Sequence, residues 1–280
     1  MSARSYAFST PHPLTLRVRN PAGDVEITAL ETTETTVEVV PRGSSGKDNA
    51  ERTRVELSAD GTVLDVEAPE RRFGSAGRLT MVIKLPVGSA VNVRTASADV
   101  SCRGSLGGLE VATASGDVAA DRVDGDATVS SASGDVNLGT ITGSLECKTA
   151  SGDVRALTVK GGCRTNSASG DVLIDGCGAD VFARTASGDV QLRRTERGSL
   201  DITTMSGNVK VGVQRGTLVW LDISTLSGRT RSDLEHQDAA PVDDGDVLSI
   251  SVRTMSGDIT LTPSNTATSG NTATSSNTAG

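Results

Sequence analysis

Apolar and polar residues alternate in short runs along this chain, and one such run recurs every 18 residues. The motif Ser-Gly-Asp-Val begins at Ser115, Ser133, Ser151, Ser169 and Ser187. A variant, Ser97-Ala98-Asp99-Val100, lies one period earlier, and looser copies begin at Ser206, Ser227 and Ser256. A fixed period of this kind indicates a repeat protein in which every period adds one structural unit.

Within a period, counted from its serine, the apolar positions are four, six, often nine, thirteen and fifteen. Position four is valine in Val100, Val118, Val136, Val154, Val172 and Val190. Alternation with a period of two, bounded by glycine, is typical of strands, and no stretch shows a helical apolar stripe of helical length. The pattern predicts an all-β, single-stranded β-solenoid, similar to a β-helix, with about 18 residues per coil. Glycines at positions two and eleven are expected to supply turns with positive φ.

The repeat divides the chain into four regions. We expect an N-terminal arm over 1–13, irregular β coils and a cap over 14–95, and the solenoid over 96–262 in the same domain. A Ser/Thr/Asn-rich tail over 263–280 is predicted to be disordered. The segment Pro41–Ala50 is predicted to be an exposed loop. Leu218–Ile223, which contains the single tryptophan Trp220, is predicted to broaden the C-terminal end.

Composition sharpens this prediction. The 280 residues include 31 glycines but only one Trp, one Tyr and three Phe, so the core must consist of small aliphatic side chains. A net charge of −8 gives no basic footprint for nucleic acid. No apolar run approaches the length of a membrane span, and the first ten residues contain no signal-peptide core, which predicts a cytoplasmic protein. The four cysteines lack CxxC spacing and fall at inward positions, where packing is expected: Cys102, Cys147, Cys163 and Cys177.

One aspartate per period forms a column along the solenoid. Bare charges about 4.8 Å apart in water repel by roughly 0.9 kcal/mol per pair, so the column needs compensation. We expect each aspartate to accept amides of its own turn, as part of a structural Ser-Gly-Asp ladder. The ladder comprises Ser115, Gly116, Asp117, Ser133, Gly134, Asp135, Ser151, Gly152, Asp153, Ser169, Gly170, Asp171, Ser187, Gly188 and Asp189.

A calcium-binding β-roll is the sharper alternative, because such rolls repeat every nine residues and 18 is two nines. The weak candidate metal ligands are Asp117, Asp135, Asp153, Asp171 and Asp189. Only one aspartate recurs per 18 residues, whereas calcium needs six to eight oxygen ligands. The acidic segment 235–246 is a second candidate for a metal or a basic partner, although a solvated insertion is the simpler interpretation.

A hydroxyl column precedes the aspartates, at Thr95, Thr113, Ser131, Thr149, Ser167, Thr185 and Thr203. We interpret it as a corner ladder rather than an ice-binding face, because the preceding position varies. Catalytic signatures are missing: the only histidines are His12 and His236, and no nucleophile, metalloprotease, phosphate-loop or dinucleotide motif occurs. The sequence therefore predicts neither an active site nor a cofactor.

Three features resemble the bacterial "putative adhesin" family, whose domain has no known function. They are Gly23-Asp24-Val25-Glu26-Ile27, Leu85-Pro86-Val87-Gly88 and the Thr-Ala-Ser-Gly-Asp-Val series. The resemblance covers about residues 10–262. It implies a fold of β-strand repeats and says almost nothing about activity.

These observations predict a non-enzymatic, rigid scaffold or protein-interaction module. Positions five, seven, fourteen and sixteen vary between periods, so a protein partner is expected to bind a side face or an end edge. The alternative is self-association into a cytoskeletal type of polymer. Capped ends predict a monomer, and bare terminal coils predict filaments.

Overall fold

The computed structural model describes residues 3–69, 77–234 and 247–264, most of which lie in strands. The N-terminal elements are β1 (Arg4–Ser9), β2 (Thr15–Leu30), β3 (Glu34–Arg42), α1 (Ser44–Arg52), β4 (Arg54–Leu57), β5 (Val63–Glu67), β6 (Arg78–Pro86) and β7 (Ala90–Leu106). The repeat contains β8 (Gly108–Thr113), β9 (Val118–Val123), β10 (Ala127–Ser131), β11 (Val136–Ile141), β12 (Leu145–Thr149), β13 (Val154–Val159), β14 (Cys163–Ser169), β15 (Val172–Cys177), β16 (Val181–Ser187), β17 (Val190–Thr195), β18 (Gly198–Ser206) and β19 (Val209–Gln214). The last strands are β20 (Leu218–Ser227), β21 (Thr230–Ser232), β22 (Val247–Ser256) and β23 (Ile259–Ser264).

Each 18-residue period forms one coil of two strands. Strand β10 pairs in parallel with β8 and β12, and β11 pairs in parallel with β9 and β13. The register advances by one period, so that Val118, Val136 and Val154 are direct neighbours. We call the ladder of even-numbered strands from β8 to β18 face A and that of the odd-numbered strands from β9 to β19 face B. The predicted all-β solenoid is confirmed.

The core lies between the two faces and contains the inward member of each alternating pair. The valines at position four are all buried, as are the four cysteines. Each fully buried Val, Leu or Ile stabilises the fold by about 1.5–3 kcal/mol relative to an exposed one. No aromatic side chain is fully buried within the described ranges, which fits the small number of aromatic residues in the sequence.

Two columns of glycine let the corners of successive coils approach closely. A Cβ on Gly134 would lie 2.0 Å from the carbonyl oxygen of Gly116, and one on Gly125 would lie 2.1 Å from that of Gly107. The expectation of positive φ at these columns is wrong for Gly116, Gly134 and Gly152. Glycine is needed there because a side chain has no space, and not because the turn is left-handed.

The N-terminal end is closed by antiparallel strands. Strand β2 pairs in parallel with β7 on one side and with β5 and β6 on the other. Beyond these, β3 pairs antiparallel with β6, β1 with β3, and β4 with β5. The region predicted to be an arm thus contains an ordered strand, β1, whose side chains Tyr6 and Phe8 pack against the core.

A helix lies where the sequence suggested an exposed loop, so the prediction for Pro41–Ala50 is wrong. Helix α1 packs against β3 and β6, with Ala50 buried. The buried Asn49 donates a side-chain hydrogen bond to the carbonyl oxygen of Gly77 at 3.0 Å. The helix has no apolar stripe because it covers the sheet mainly through Ala50 and Asn49. Within the described ranges, no helix is long and apolar enough to cross a membrane.

The two C-terminal coils stack out of sequence order. Strand β22 pairs with both β18 and β20, and β23 pairs with both β19 and β21. The coil formed by β22 and β23 is therefore inserted between the coil of β18 and β19 and the coil of β20 and β21. The last coil in space is the one at 218–232, although 247–264 comes later in the chain.

Two predictions for this end need correction. Trp220 does not broaden the core; it lies in register with Ser249 on the outer side and is 59% exposed. The tail was predicted to begin at residue 263, but Pro263 and Ser264 belong to β23. The remainder of the predicted tail, 265–280, lies outside the described residues, as does the acidic segment 235–246 with His236.

Candidate functional site

The aspartates of the Ser-Gly-Asp corners form a ladder of hydrogen bonds along the solenoid. Oδ1 of Asp99 accepts the backbone N–H of Asp117 at 3.0 Å, and Oδ1 of Asp117 accepts that of Asp135 at 2.9 Å. The same contact repeats at 2.8–3.0 Å up to Asp189, and it continues to Asn208, Asp258 and Arg229. Each carboxylate thus binds the next coil. The expected bond within its own turn is wrong.

This ladder explains how a column of like charges remains stable. One oxygen of every carboxylate accepts an oriented amide, and such charge-assisted bonds are stronger than neutral ones. The spatially last coil carries Arg229 where the other coils carry Asp or Asn, so the column ends on a cation without a carboxylate for a further coil. The corner serines are exposed, and the glycines between serine and aspartate provide the close approach.

The calcium alternative gains no support from this geometry. Each of the candidates Asp117, Asp135, Asp153, Asp171 and Asp189 brings one carboxylate per coil, and each commits one oxygen to an amide. In the part of the chain that the structure describes, no group of three or more acidic, histidine or cysteine side chains is placed to hold a metal. The ladder joins successive coils at the corner.

We predict that Asp135→Ala lowers the free energy of unfolding by about 1–2 kcal/mol, because the amide of Asp153 loses its charged acceptor. Asp135→Asn keeps an acceptor oxygen and removes one charge from the column, as Asn208 does naturally. Asp135→Asn should lower the free energy of unfolding by less than about 0.5 kcal/mol. The loss should be smallest at low salt, because the repulsion that the variant relieves is least screened there. Urea unfolding followed by circular dichroism measures both variants. Equal losses for Ala and Asn would contradict the proposed role of the acceptor.

The hydroxyl column lies on the inner side of the same corner. Thr95, Thr113, Ser131, Thr149, Ser167 and Thr185 follow the predicted register, and all but Thr95 are buried. The prediction of Thr203 is wrong: Thr185 is in register with Thr204, because one extra residue is inserted between Thr195 and Leu200. Several hydroxyls bond the corner backbone; for example, Ser131 Oγ accepts the N–H of Gly134 at 2.8 Å.

The cysteines are core residues. Burial raises the pKa of the Cys102 and Cys147 thiols to about 12 and also raises the pKa of Cys163 and Cys177. A thiol becomes nucleophilic only as the thiolate. The buried positions of the four cysteines therefore fit the packing role that was expected from their inward positions in the repeat.

An open groove on face A was not predicted as a site from the sequence. It has a volume of about 570 Å³. Phe182 projects into it at position fourteen of its repeat and is the only aromatic residue between 96 and 214. The guanidinium carbons of Arg164 and Arg184 lie 4.5 Å and 4.3 Å from the centre of its ring. The sequence feature that could have indicated this groove is a single aromatic residue at an outward position that carries Glu, Thr, Arg or Asp in the other coils.

Carboxylates surround this aromatic centre. The groove is lined by Asp126, Glu146, Asp180 and Asp201 and by one guanidinium, that of Arg164. Asp126 and Asp180 are fixed because each accepts a backbone N–H of the next coil, from Ser144 at 2.7 Å and from Ser199 at 2.8 Å. Lys148 binds Glu146 at 2.7 Å and thereby lowers the pKa of that carboxyl. We call this set of residues the Phe182 groove. It presents one aromatic ring, flanked by Arg164 and Arg184, next to the carboxylates of Asp126, Asp180 and Asp201.

Comparison with known proteins identifies the class of this chain. Residues 14–262 match the family described as Toastrack DUF4097, and the chain belongs to this family. That membership agrees with the resemblance drawn from the sequence to a family of unknown function, and it does not test the Ser-Gly-Asp-Val motif as the family's signature. No protein with a curated description matches the chain.

Several solved structures are similar at low identity. A Bacteroides fragilis protein named a "putative adhesin" shares 13% identity with a TM-score of 0.49, over 92% of this chain and 97% of its own. A "putative lipid binding protein" from Parabacteroides distasonis shares 13% identity with a TM-score of 0.45, over 92% and 96%. A second Parabacteroides distasonis protein, a "putative adhesin", shares 14% identity with a TM-score of 0.34, over 93% and 97%.

Proposed function

We propose that this chain is a non-enzymatic, rigid scaffold that binds a protein partner through face A, with the Phe182 groove as the central contact. The groove is the observation that carries the proposal. It combines an aromatic ring with the two fixed carboxylates of Asp126 and Asp180 on a parallel sheet, which is a combination suited to an extended, basic segment of a partner.

The scaffold supports such binding because the core and the surface are separated. Inward positions stay small and aliphatic in every coil, whereas positions fourteen and sixteen change along face A, from Glu146 and Lys148 to Arg164, Phe182 and Arg184. Substitutions on the outer face therefore alter the binding surface without changing the packing. A preorganised sheet also loses little conformational entropy on binding.

The test compares Phe182→Ala with Gln191→Ala, whose side chain lies on face B at a comparable outward position. Immobilised wild-type chain and both variants are incubated with extract from the source organism, and the bound proteins are quantified by mass spectrometry. We expect one partner to lose at least about tenfold in binding with Phe182→Ala alone, since truncation of an aromatic anchor often costs 2 kcal/mol or more. Purified partner then confirms the difference by titration.

A partner captured equally by all three chains would overturn the role of the groove. Binding of the purified partner should also weaken as salt is raised, because the carboxylates of the rim are exposed. The polymer alternative receives no support from the fold. A head-to-tail filament that continues the parallel ladders needs a parallel edge at both ends, whereas the N-terminal end finishes in the antiparallel strands β1, β3 and β4.

A further inference from the structure

One outer corner position carries larger apolar side chains in the last three coils than in the preceding ones. Outer corner position eighteen is alanine at Ala96, Ala114, Ala132, Ala150, Ala168 and Ala186, but Met205, Met255 and Leu226 in the last three coils. These three are 56%, 53% and 81% exposed. Trp220 lies on the outer side of the same end strand, β20. The apolar surface is thus concentrated at the C-terminal end of the solenoid.

Within the described residues, one edge of the spatially last coil is unpaired. Strand β20 pairs with β22 on one side, β21 pairs with β23 on one side, and no described residue pairs with their other edges. Unpaired backbone groups at a sheet edge are a template for another strand. A further coil of the same kind is disfavoured, because Thr230 and Ser232 replace the aliphatic residues seen in register at Ile259 and Leu261. In addition, Arg229 ends the carboxylate ladder.

We propose that this edge pairs with the same edge of a second copy, giving a closed tail-to-tail dimer. The edge is self-complementary about a twofold axis through Ile223 of β20. That axis would place Trp220 opposite Leu226 of the second copy on the outer side, because both residues lie three positions from Ile223. The two outward residues with the largest apolar exposure on β20 would therefore cover each other.

The charges of Arg231 on β21 and of Asp233, which directly follows β21, agree with the same axis. The corner that joins β20 to β21 lies between Ser227 and Gly228, and Ile223 and Ser232 are equally far from it in sequence. A twofold axis that passes through Ile223 on β20 therefore also passes through Ser232 on β21. It places Arg231 opposite Asp233 of the second copy. These two residues now pair within one chain, at 3.0 Å. One axis thus satisfies an apolar pair on β20 and an ionic pair at the end of β21.

The dimer closes and does not propagate. A twofold contact uses the same surface on both copies, so the edges of β20 and β21 are both occupied once the dimer has formed. The N-terminal end differs because it finishes in antiparallel strands with helix α1 packed beside them. Face A, as defined from β8 to β18, lies outside the contact, so the dimer is independent of the scaffold proposal. Sedimentation equilibrium tests the dimer, and partner capture tests the scaffold proposal.

Sedimentation equilibrium of the full chain tests the mass. We expect twice the chain mass of 28.6 kDa. Leu226→Asp should weaken the dimer at least tenfold, whereas Leu157→Asp should leave it unchanged. Leu157 is the matched control, since it is also a leucine, is 58% exposed and lies on β13 in the middle of the solenoid. Circular dichroism shows that both variants fold.

The twofold register has its own test. Arg231→Asp and Asp233→Arg each place like charges opposite one another in a homodimer, so each variant alone should be monomeric at concentrations where the wild type is dimeric. Mixed in equal amounts they should form a heterodimer, since every contact across the axis then joins opposite charges. The proposal would be overturned if the wild-type chain sedimented with the mass of a monomer at about 100 μM. That concentration lies above the Kd of typical specific complexes. A Leu226→Asp variant that remains dimeric would also overturn the proposal. If the Arg231→Asp and Asp233→Arg variants fail to form the heterodimer, the proposed register is wrong.

Discussion

Gly134→Ala is expected to destabilise the solenoid by about 3 kcal/mol or more, near the upper end of the range for overpacking. The added Cβ would lie 2.0 Å from the carbonyl oxygen of Gly116, 2.6 Å from its carbonyl carbon and 3.2 Å from the amide nitrogen of Asp117. All three atoms belong to the backbone, so no side chain can rotate away. Relief of the clash requires the two coils to separate at this corner.

Separation would also lengthen the bonds that join these coils. The amide of Asp135 binds Asp117 Oδ1 at 2.9 Å directly beside Gly134. The loss therefore combines steric strain with a weakened carboxylate ladder. We expect a lower urea midpoint and, by hydrogen exchange, faster exchange of the amides on β10 and β11 than on β2.

Gly162→Ala is the matched control. It lies in the same repeat, but the nearest atom to its added Cβ is the carbonyl oxygen of Asp180 at 3.8 Å, and its φ is not positive. Its free energy of unfolding should change by less than about 1 kcal/mol, with a favourable contribution from the stiffer unfolded chain. Similar losses for Gly134→Ala and Gly162→Ala would show that glycine acts here through backbone freedom instead of close approach.

The glycine columns illustrate what the sequence can and cannot predict. Position two is glycine in all five Ser-Gly-Asp-Val copies, and alanine in the variant copy at Ala98. Periodicity alone therefore locates the corner at Gly116 or Gly134. Positive φ and absence of space for a Cβ both select glycine, however, and a single sequence does not distinguish them. The aspartate column is similar: its spacing predicts a ladder, but only the structure shows that Asp117 binds the amide of Asp135 and not that of its own turn.

Features that break the repeat were harder to predict. Helix α1 contains few apolar residues because it covers a small part of the sheet, so its sequence has no helical stripe. The Phe182 groove depends on contacts between coils, in which Arg164 approaches the ring from the preceding period. Thr204 replaces Thr203 because a single inserted residue after Thr195 shifts the register. Helix α1 lies outside the repeat, Phe182 occupies a position that is polar in the other coils, and Thr204 follows Thr185 at a spacing that departs from 18. The 18-residue period therefore predicts none of the three.

The order of the last two coils leads to a second large effect. Ile250 is fully buried between Leu200 of β18 and Leu221 of β20, whereas Leu221 lies in the terminal coil and is 37% exposed. Stacking in sequence order would reverse these environments. It would bury Leu221 between two coils and place Ile250 at the open end.

We therefore predict that Ile250→Ala lowers the free energy of unfolding by about 2–5 kcal/mol, the range for a large aliphatic side chain truncated inside a packed core. Leu221→Ala should cost less than about 1.5 kcal/mol, because part of its side chain already contacts water and the open end can relax. Both are measured by urea unfolding in the Leu226→Asp background, so that any tail-to-tail dimer does not contribute. A larger loss for Leu221→Ala than for Ile250→Ala would establish the sequential order of coils and would remove the edge on which the dimer depends.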